Sequence, residues 1–300
     1  MGKVEQIASL YSELQLNICN ILAKTDGKAS FEENRWENEI GSGMTCVIKN
    51  GNAFEKGGVN YSCVSGNFTA QMEKILGEKA NKYSATGISS IMHPINPHVP
   101  VIHMNIRYFE LDNGSGWFGG GIDLTPHYVD ISEAKAFHLE LKAICGKYSD
   151  LFYPRYKKWA DDYFFLPHRG ETRGAGGIFF DKLIPDSTFS FEQLLSFTTE
   201  LGNAYPEIYS EIVKKKSNRV FTEAEKKWQQ IRRGRYVEFN LIYDRGTKFG
   251  LESGGNTESI LISLPADASW EYNYATAPGS AEALTLKLLK KNIDWVNLAI

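Results

Sequence analysis

The stretch Val101–Leu111 carries the residues best suited to chemistry. With the two-residue period of a β-strand, one face presents Val101, His103, Asn105, Arg107 and Phe109. The other presents Ile102, Met104, Ile106 and Tyr108, an apolar row that would pack under a helical layer. A merely solvated face usually carries Thr, Lys and Glu, whereas this one sets an imidazole, an amide and a guanidinium side by side. Asn113-Gly114 turns the chain into a second strand, Gly116 to Leu124, with Trp117, Gly119, Gly121 and Asp123 on one face. Glycine inside a strand marks either a bulge or the close approach of a ligand or another backbone, and both readings stand at this point. If these glycines share a face with the His103 row, they make a bare surface between Arg107 and Asp123.

The Gly-rich segment His168 to Gly177 adds Arg169 and Arg173, whose planar forks match carboxylates two bonds at a time. Gly254-Gly255-Asn256 offers further backbone donors. Taken without analogy, these residues describe an enzyme-like pocket for a flat, anionic, polycarboxylate ligand. A metal is not expected to be obligatory, because His93, His98, His103, His127, His138 and His168 show neither HExxH nor HxH spacing. There is no nucleophile elbow, Walker loop or dinucleotide fingerprint in the chain.

Around this site lies an ordinary globular composition: 42% hydrophobic and 23% charged, with 17 Phe, 15 Tyr and 6 Trp. A net charge of −3 provides no field for nucleic acid or an anionic membrane. The basic runs Lys214-Lys215-Lys216 and Arg232-Arg233-Gly234-Arg235 read as solvated helix faces. Cys19, Cys46, Cys63 and Cys145 form no CxxC, and the N-terminus has neither a secretory nor a transit pattern; a cytoplasmic protein with reduced thiols is expected.

The elements that must position these residues follow from periodicity. Val4 to Leu22 is an amphipathic helix stopped by Gly27, followed by a polar loop. Met44 to Ile48 and Phe54 to Val64 flank a hairpin at Asn50-Gly51. A short helix near Gln71 to Leu76 precedes a strand at Gly87 to Met92. Helices are expected from Asp130 to Lys147, Arg155 to Phe165, Phe191 to Ala204, Pro206 to Lys215, Glu223 to Arg232, and from Ser280 to Lys291. Strands are expected at Gly177 to Asp181, Tyr236 to Asp244 and Glu258 to Leu264. This order is not βαβ alternation, so the fold class is α+β, one domain over 1–300 with a mostly antiparallel sheet. The two late strands would leave an apolar sheet edge, which invites a second copy of the chain.

Several long strings resemble oxygen-dependent coproporphyrinogen III oxidases. They are Ser89 to Pro94 with Asn96-Pro97 and Val99-Pro100, His103 to Phe109, Trp117 to Pro126, His168 to Asp181, and Tyr236 to Thr247. The resemblance implies a flat antiparallel sheet between helical layers, a homodimer, and a role in heme biosynthesis. Two propionates of coproporphyrinogen III would become vinyls, with O2 as co-substrate and CO2 and hydrogen peroxide released. It implies His103 as proton donor and Asp123 at the pyrrole nitrogens. Ser89, Asn105, Ile106, Arg107, Gly254 and Gly255 would touch substrate, and Arg169 and Arg173 would hold propionates. Many relatives carry Arg where this chain has Asn256, so one clamp is either missing or replaced, with Lys248 or Arg245 as candidates. Some bacterial relatives are described with a metal on histidines matching His93, His103, His138 and His168. Metal-free turnover is the expectation, since His103 cannot easily be both ligand and acid. The alternative function is a noncatalytic tetrapyrrole carrier, which would keep the arginines and lose the acid–base pair.

Overall fold

A computed structural model describes residues 2–252 and 256–299, apart from the side chains of Ile75 and Phe249. The elements, in order, are α1 (Lys3–Asp26), β1 (Glu32–Asn38), β2 (Gly41–Lys49), β3 (Phe54–Asn67), α2 (Ala70–Leu76), β4 (Lys82–Pro94), β5 (Val101–Leu111) and β6 (Gly116–Thr125). They continue with α3 (Ile131–Gly146), α4 (Phe152–Tyr163), β7 (Phe165–Leu166), β8 (Glu171–Thr172), β9 (Gly176–Leu183), α5 (Phe191–Lys216), α6 (Glu223–Ile242), α7 (Arg245–Glu252), α8 (Thr257–Leu261) and α9 (Ala281–Leu288). Among the described residues, seven strands form one antiparallel sheet in the order β1-β2-β3-β4-β5-β6-β9. The α+β class with an antiparallel sheet is therefore as expected.

The alternation in β5 sorts the two faces. Ile102, Met104, Ile106 and Tyr108 are buried in the main core. Over that face lie α1, against β3 and β4, and α5, against β5 and β6. On the opposite face α6 packs Tyr236 onto Ile91 and Val101, and α8 reaches Thr45 and Asn60 through Ser259. His103, Asn105, Arg107 and Phe109 on that face remain only half-buried.

Four expectations are corrected. Tyr236 to Asp244 lies mostly in α6, and Glu258 to Leu264 holds most of α8; neither is a strand. Tyr236, Glu238 and Asn240 alternate with apolar residues and so imitate a strand, yet the buried set runs from Trp228 through Arg232, Tyr236 and Phe239 at helical spacing. The argument for pairing through a late apolar strand falls with them; β1, an edge strand absent from the sequence reading, carries Glu32, Glu33, Arg35 and Glu37 instead. Phe191 to Lys216 is one helix that passes through Pro206, because Leu201, Tyr205, Tyr209 and Val213 keep a continuous buried stripe. The guanidiniums of Arg232, Arg233 and Arg235 are buried, not solvated: Arg232 meets Glu171 at 2.8 Å, Arg233 meets Glu55 at 2.5 Å and Arg235 meets Glu238 at 2.9 Å. Lys216 likewise sits against Asp130 and Glu133.

One carboxylate ties the first helix to the sheet. Asp26, in the last turn of α1, accepts backbone N–H bonds from Lys28, Ala29, Asn52, Ala53 and Phe54 at 2.9–3.2 Å. A Cβ at Gly51 would lie 2.1 Å from its Oδ2, so only glycine lets the β2–β3 turn close this tightly. Burial pushes the Asp26 pKa up, but the N–H groups of Ala29, Phe54, Asn52 and Ala53 outweigh it and hold the carboxyl below its ordinary value. A depressed carboxyl stabilises the fold above its unfolded pKa, near 4, and that contribution vanishes as pH falls through the folded value. We expect Asp26→Asn to cost roughly 2–3 kcal/mol at pH 7. The gap to wild type in urea unfolding should shrink steadily below about pH 4; a pH-independent gap contradicts this role.

Candidate active site

The half-buried face of β4, β5, β6 and β9 is laid out in rows by strand register. Ile91, His103, Asp123 and Gly177 form one row, and Ser89, Asn105, Gly121 and Phe179 the next. Gly87, Arg107 and Gly119 follow, then Ala85, Phe109 and Trp117. Strand spacing and rise make this surface roughly 14 Å across and 20 Å long. Glycines flank Arg107 on both sides, so its guanidinium rises from bare backbone. The close approach of another backbone holds at Gly121, where a Cβ would lie 2.7 Å from Ile178 O, whereas the bulge lies on β9 opposite Gly119. Register slips between Phe118 and Gly120 against β9, and a Cβ at Gly119 would meet Arg107 Nε and Nη2 at 3.0 Å. At the far end Tyr83, Phe109 and Trp117 stack in series.

At the other end lies a relay of three side chains. Asp123 is 1% exposed. Its Oδ1 is 2.9 Å from His103 Nδ1, and its Oδ2 accepts from Arg173 Nη2 at 2.6 Å. Thr125 Oγ1 lies a further 3.5 Å from Oδ2. Burial pushes the Asp123 pKa up, but the Arg173 charge, and then the His103 contact, pull it below the ordinary carboxylate value. An ionised carboxylate only accepts, so His103 Nδ1 carries the proton. The imidazole keeps about a quarter of its surface open, which leaves Nε2 as its reactive nitrogen. Arg173 is itself 2% exposed: its guanidinium donates to Asn240 Oδ1 at 3.1 Å and lies over the rings of Phe164, Tyr236 and Phe239 at 4.4–4.7 Å.

The expected site residues fall into different surroundings. Asp123 is enclosed, with both oxygens already paired, rather than presented to a ligand. Arg173 is enclosed with it, its guanidinium paired to Asp123. The side chain of Ile106 points into the core on the opposite face, which leaves only its backbone for the surface rows. Arg107 and Asn105 do belong to the surface: Arg107 Nη1 donates to Asn105 Oδ1 at 3.1 Å, and Nη2 meets Asp181 Oδ1 at 3.0 Å. Ser89 stands directly opposite Asn105. Gly254 and Gly255 lie outside the described residues. Asn256 caps α8 by accepting from Ser259 N at 3.1 Å.

Arg169 is brought to a different cluster. Its Nε and Nη2 grip both oxygens of Glu238 at 2.8 and 2.7 Å. His168 Nε2, Arg235 and Trp270 Nε1 converge on the same carboxylate. Burial raises the Glu238 pKa, but hydrogen bonds from Arg169, His168 and Trp270 overcome it and hold the group at about 2. Glu238 is two residues from both Tyr236 and Asn240, which puts it across α6 from Arg173. Glu238, Asn240, Tyr236 and Asp181 received no role in the sequence reading; the signal was their presence inside the motif strings already quoted.

The four histidines considered for a metal are dispersed among protein partners. His93 Nε2 contacts Ser263 O at 2.9 Å, and burial pushes its pKa down to about 3. Both ring nitrogens of His138 are engaged, by Tyr153 Oη and Ala175 O, and burial pushes its pKa down to about 4. His168 is held by Glu238 and Tyr243. Among the described residues no group of three or more His, Cys, Asp or Glu side chains is arranged to hold a metal ion.

An antiparallel sheet whose helix-flanked face joins an imidazole–carboxylate pair to a half-buried arginine is arranged as in an enzyme. Residues 6–295 match the sequence profile of the coproporphyrinogen III oxidase family, and the chain belongs to that family. It is 48% identical over 302 residues to the human mitochondrial oxygen-dependent coproporphyrinogen-III oxidase, covering 96% of this chain and 66% of the human protein. The Drosophila melanogaster oxygen-dependent coproporphyrinogen-III oxidase is 45% identical, over 96% of this chain and 77% of its own length. The chloroplastic relative from Glycine max is also 45% identical, over 95% and 77%.

The buried relay makes a stability prediction. Arg173→Met keeps length but leaves the buried Asp123 charge without its cationic partner, which should cost about 3–5 kcal/mol. Adding Asp123→Asn should recover part of that loss in urea unfolding. Simple additivity of the two substitutions contradicts the pairing.

Proposed function

We propose that this protein converts coproporphyrinogen III to protoporphyrinogen IX in an O2-dependent step of heme biosynthesis. At each of two propionates the side chain loses CO2 and becomes a vinyl, while O2 takes two electrons and two protons and leaves as hydrogen peroxide. The observation that carries this reading is the family match across nearly the whole chain, with the acid–base pair and Arg107 on one surface. A broad macrocycle of four pyrroles joined by methylene bridges suits a surface where Gly87, Gly119 and Gly121 raise no side chain. An electron-rich pyrrole reacts with O2 without a bound redox group, so the chain's own task is to hold the substrate and move protons.

His103 Nε2 is the group that exchanges a proton with the reacting ring or the departing peroxide. Asp123 fixes the Nδ1–H tautomer and stabilises the imidazolium, as the buried carboxylate does in a Ser-His-Asp triad. Arg173 keeps Asp123 ionised. Arg107 and Asn105 serve the carboxylate side of the substrate, with Ser89 beside them. Arg169 is a second carboxylate site only if its outer edge, away from Glu238, reaches a propionate.

Turnover is proposed to need no metal, because His138 and His168 already engage both ring nitrogens within the protein. A homodimer is proposed as well, supported by the exposed Leu241 and Ile242 of α6 and Leu251 of α7. Free Cys19, Cys46, Cys63 and Cys145 suit a reducing compartment and support a cytoplasmic location, whereas the human and soybean relatives are named mitochondrial and chloroplastic. Among the described residues no helix is long and apolar enough to cross a membrane.

Incubated in air with coproporphyrinogen III, the protein should yield the divinyl product with equal amounts of CO2 and peroxide; binding without conversion would leave it a carrier. His103→Ala and Asp123→Asn should each lower kcat by about 10²–10⁴, and the double variant should be little worse than either. Full turnover by His103→Ala contradicts the proton role. Enzyme stripped by chelator and checked by metal analysis should keep its rate; a loss restored by one added metal overturns metal-free turnover. Light scattering at micromolar concentration should give twice the chain mass, and a monomer with full activity rules the dimer out.

A further inference from the structure

The edge strand β9 breaks register opposite Gly119. Phe180 pairs with Gly120 and Leu183 with Phe118, so Asp181 and Lys182 together face the single residue Gly119. Lys182 takes φ 48°, a left-handed conformation that a residue with a Cβ adopts only at a cost. Bulges of this kind sit beside functional sites, where they redirect side chains. Both bulged residues reach the half-buried face: Asp181 meets Arg107, and the Lys182 ammonium lies 5.6 Å from the Trp117 ring. Lys182 is drawn further away by Leu76 O and Glu78, which leaves Asp181 over Gly119.

Arg107 springs from β5 and must cross β6 to reach Asp181. Gly119 is the residue it crosses. A Cβ there would stand 2.7 Å from Asp181 Oδ1 and 3.0 Å from Arg107 Nε and Nη2, so both side-chain ends would have to shift away from their present positions. Asn105 holds Nη1 from the other side at 3.1 Å. An arginine side chain loses much rotational freedom when it is fixed in one direction. Fixing it before the ligand arrives removes that cost from binding.

We propose that Asp181 is a positioning residue: from the β9 bulge it holds the Arg107 guanidinium flat across Gly119, ready for a carboxylate of the substrate. This rests on the tetrapyrrole reading of the site. The bulge and the strained Lys182 backbone are the structural cost of placing one carboxylate where it can grip Arg107 and not fill the surface.

The test uses the non-reacting, oxidised coproporphyrin III as a fluorescent probe of binding, alongside turnover of coproporphyrinogen III. Asp181→Ala should raise the probe Kd and the substrate KM about tenfold, and lower kcat by less. Gly119→Ala should raise both in the same way, since its methyl group pushes the pair apart. Asp181→Asn keeps the Oδ1 acceptor and should recover part of the affinity. In an Arg107→Ala background, Asp181→Ala should add little. Unchanged or tighter binding by Asp181→Ala overturns the proposal, as does an equal loss with and without Arg107. If Asp181→Ala does not fold, Gly119→Ala and Asp181→Asn decide it by the same comparison with Arg107→Ala. Failure of wild-type turnover would appear separately and count against the reaction, while the Kd comparison still judges Asp181.

Discussion

A carboxylate almost fully removed from water must be paired on both oxygens, and at Asp123 that requirement organises the site. An isolated charge in such a place would instead take up a proton. Arg173 on one oxygen and His103 on the other keep it ionised. Arg173 is no less demanding, and its cation is met by Asn240 and by the rings of Phe164, Tyr236 and Phe239. The pair therefore binds β6, the loop before β9, the end of α4 and one face of α6 into one unit. His103 is the only member of the relay with appreciable exposure, so the arrangement meets the sheet surface through its imidazole.

The second constraint is the absence of side chains. Gly87 and Gly119 flank Arg107, and Gly121 flanks Asn105, so the central rows of the sheet surface stay low. Strands of glycine pack poorly and lose entropy on folding. Here that weakness is offset by neighbours on both faces: Phe180 beneath Gly120 and the Arg107–Asp181 pair across Gly119. The two ends of this surface differ, with the His103–Asp123–Arg173 relay at one and stacked aromatic rings at the other.

Much of this was legible in residue order. The β5 alternation, the Asn113-Gly114 turn and the caps at Asp130, Thr222 and Ser280 all rest on local rules, and the structure follows them. His103 and Asp123 were correctly placed on one face, because strand register extends a two-residue period across neighbours. What failed depended on distant partners. Arg232, Arg233 and Arg235 look like a solvated run until Glu171, Glu55 and Glu238 arrive from other parts of the chain. Tyr236 to Asp244 reads as a strand because its alternation is real, and only the preceding turns of α6 fix it as helix. Arg169 and Arg173 look equivalent four residues apart, yet α6 separates their partners, Glu238 and Asp123.

The claim on which the account turns is that buried Asp123 fixes the proton of His103 on Nδ1. Nitrogen-15 spectra of the imidazole, assigned by comparison with His103→Ala, report the protonation of each ring nitrogen directly. The account predicts a proton on Nδ1, hydrogen-bonded to a carboxylate, and a weakened preference for it in folded Asp123→Asn. A bare Nδ1 with the proton on Nε2 in the wild-type protein would contradict it.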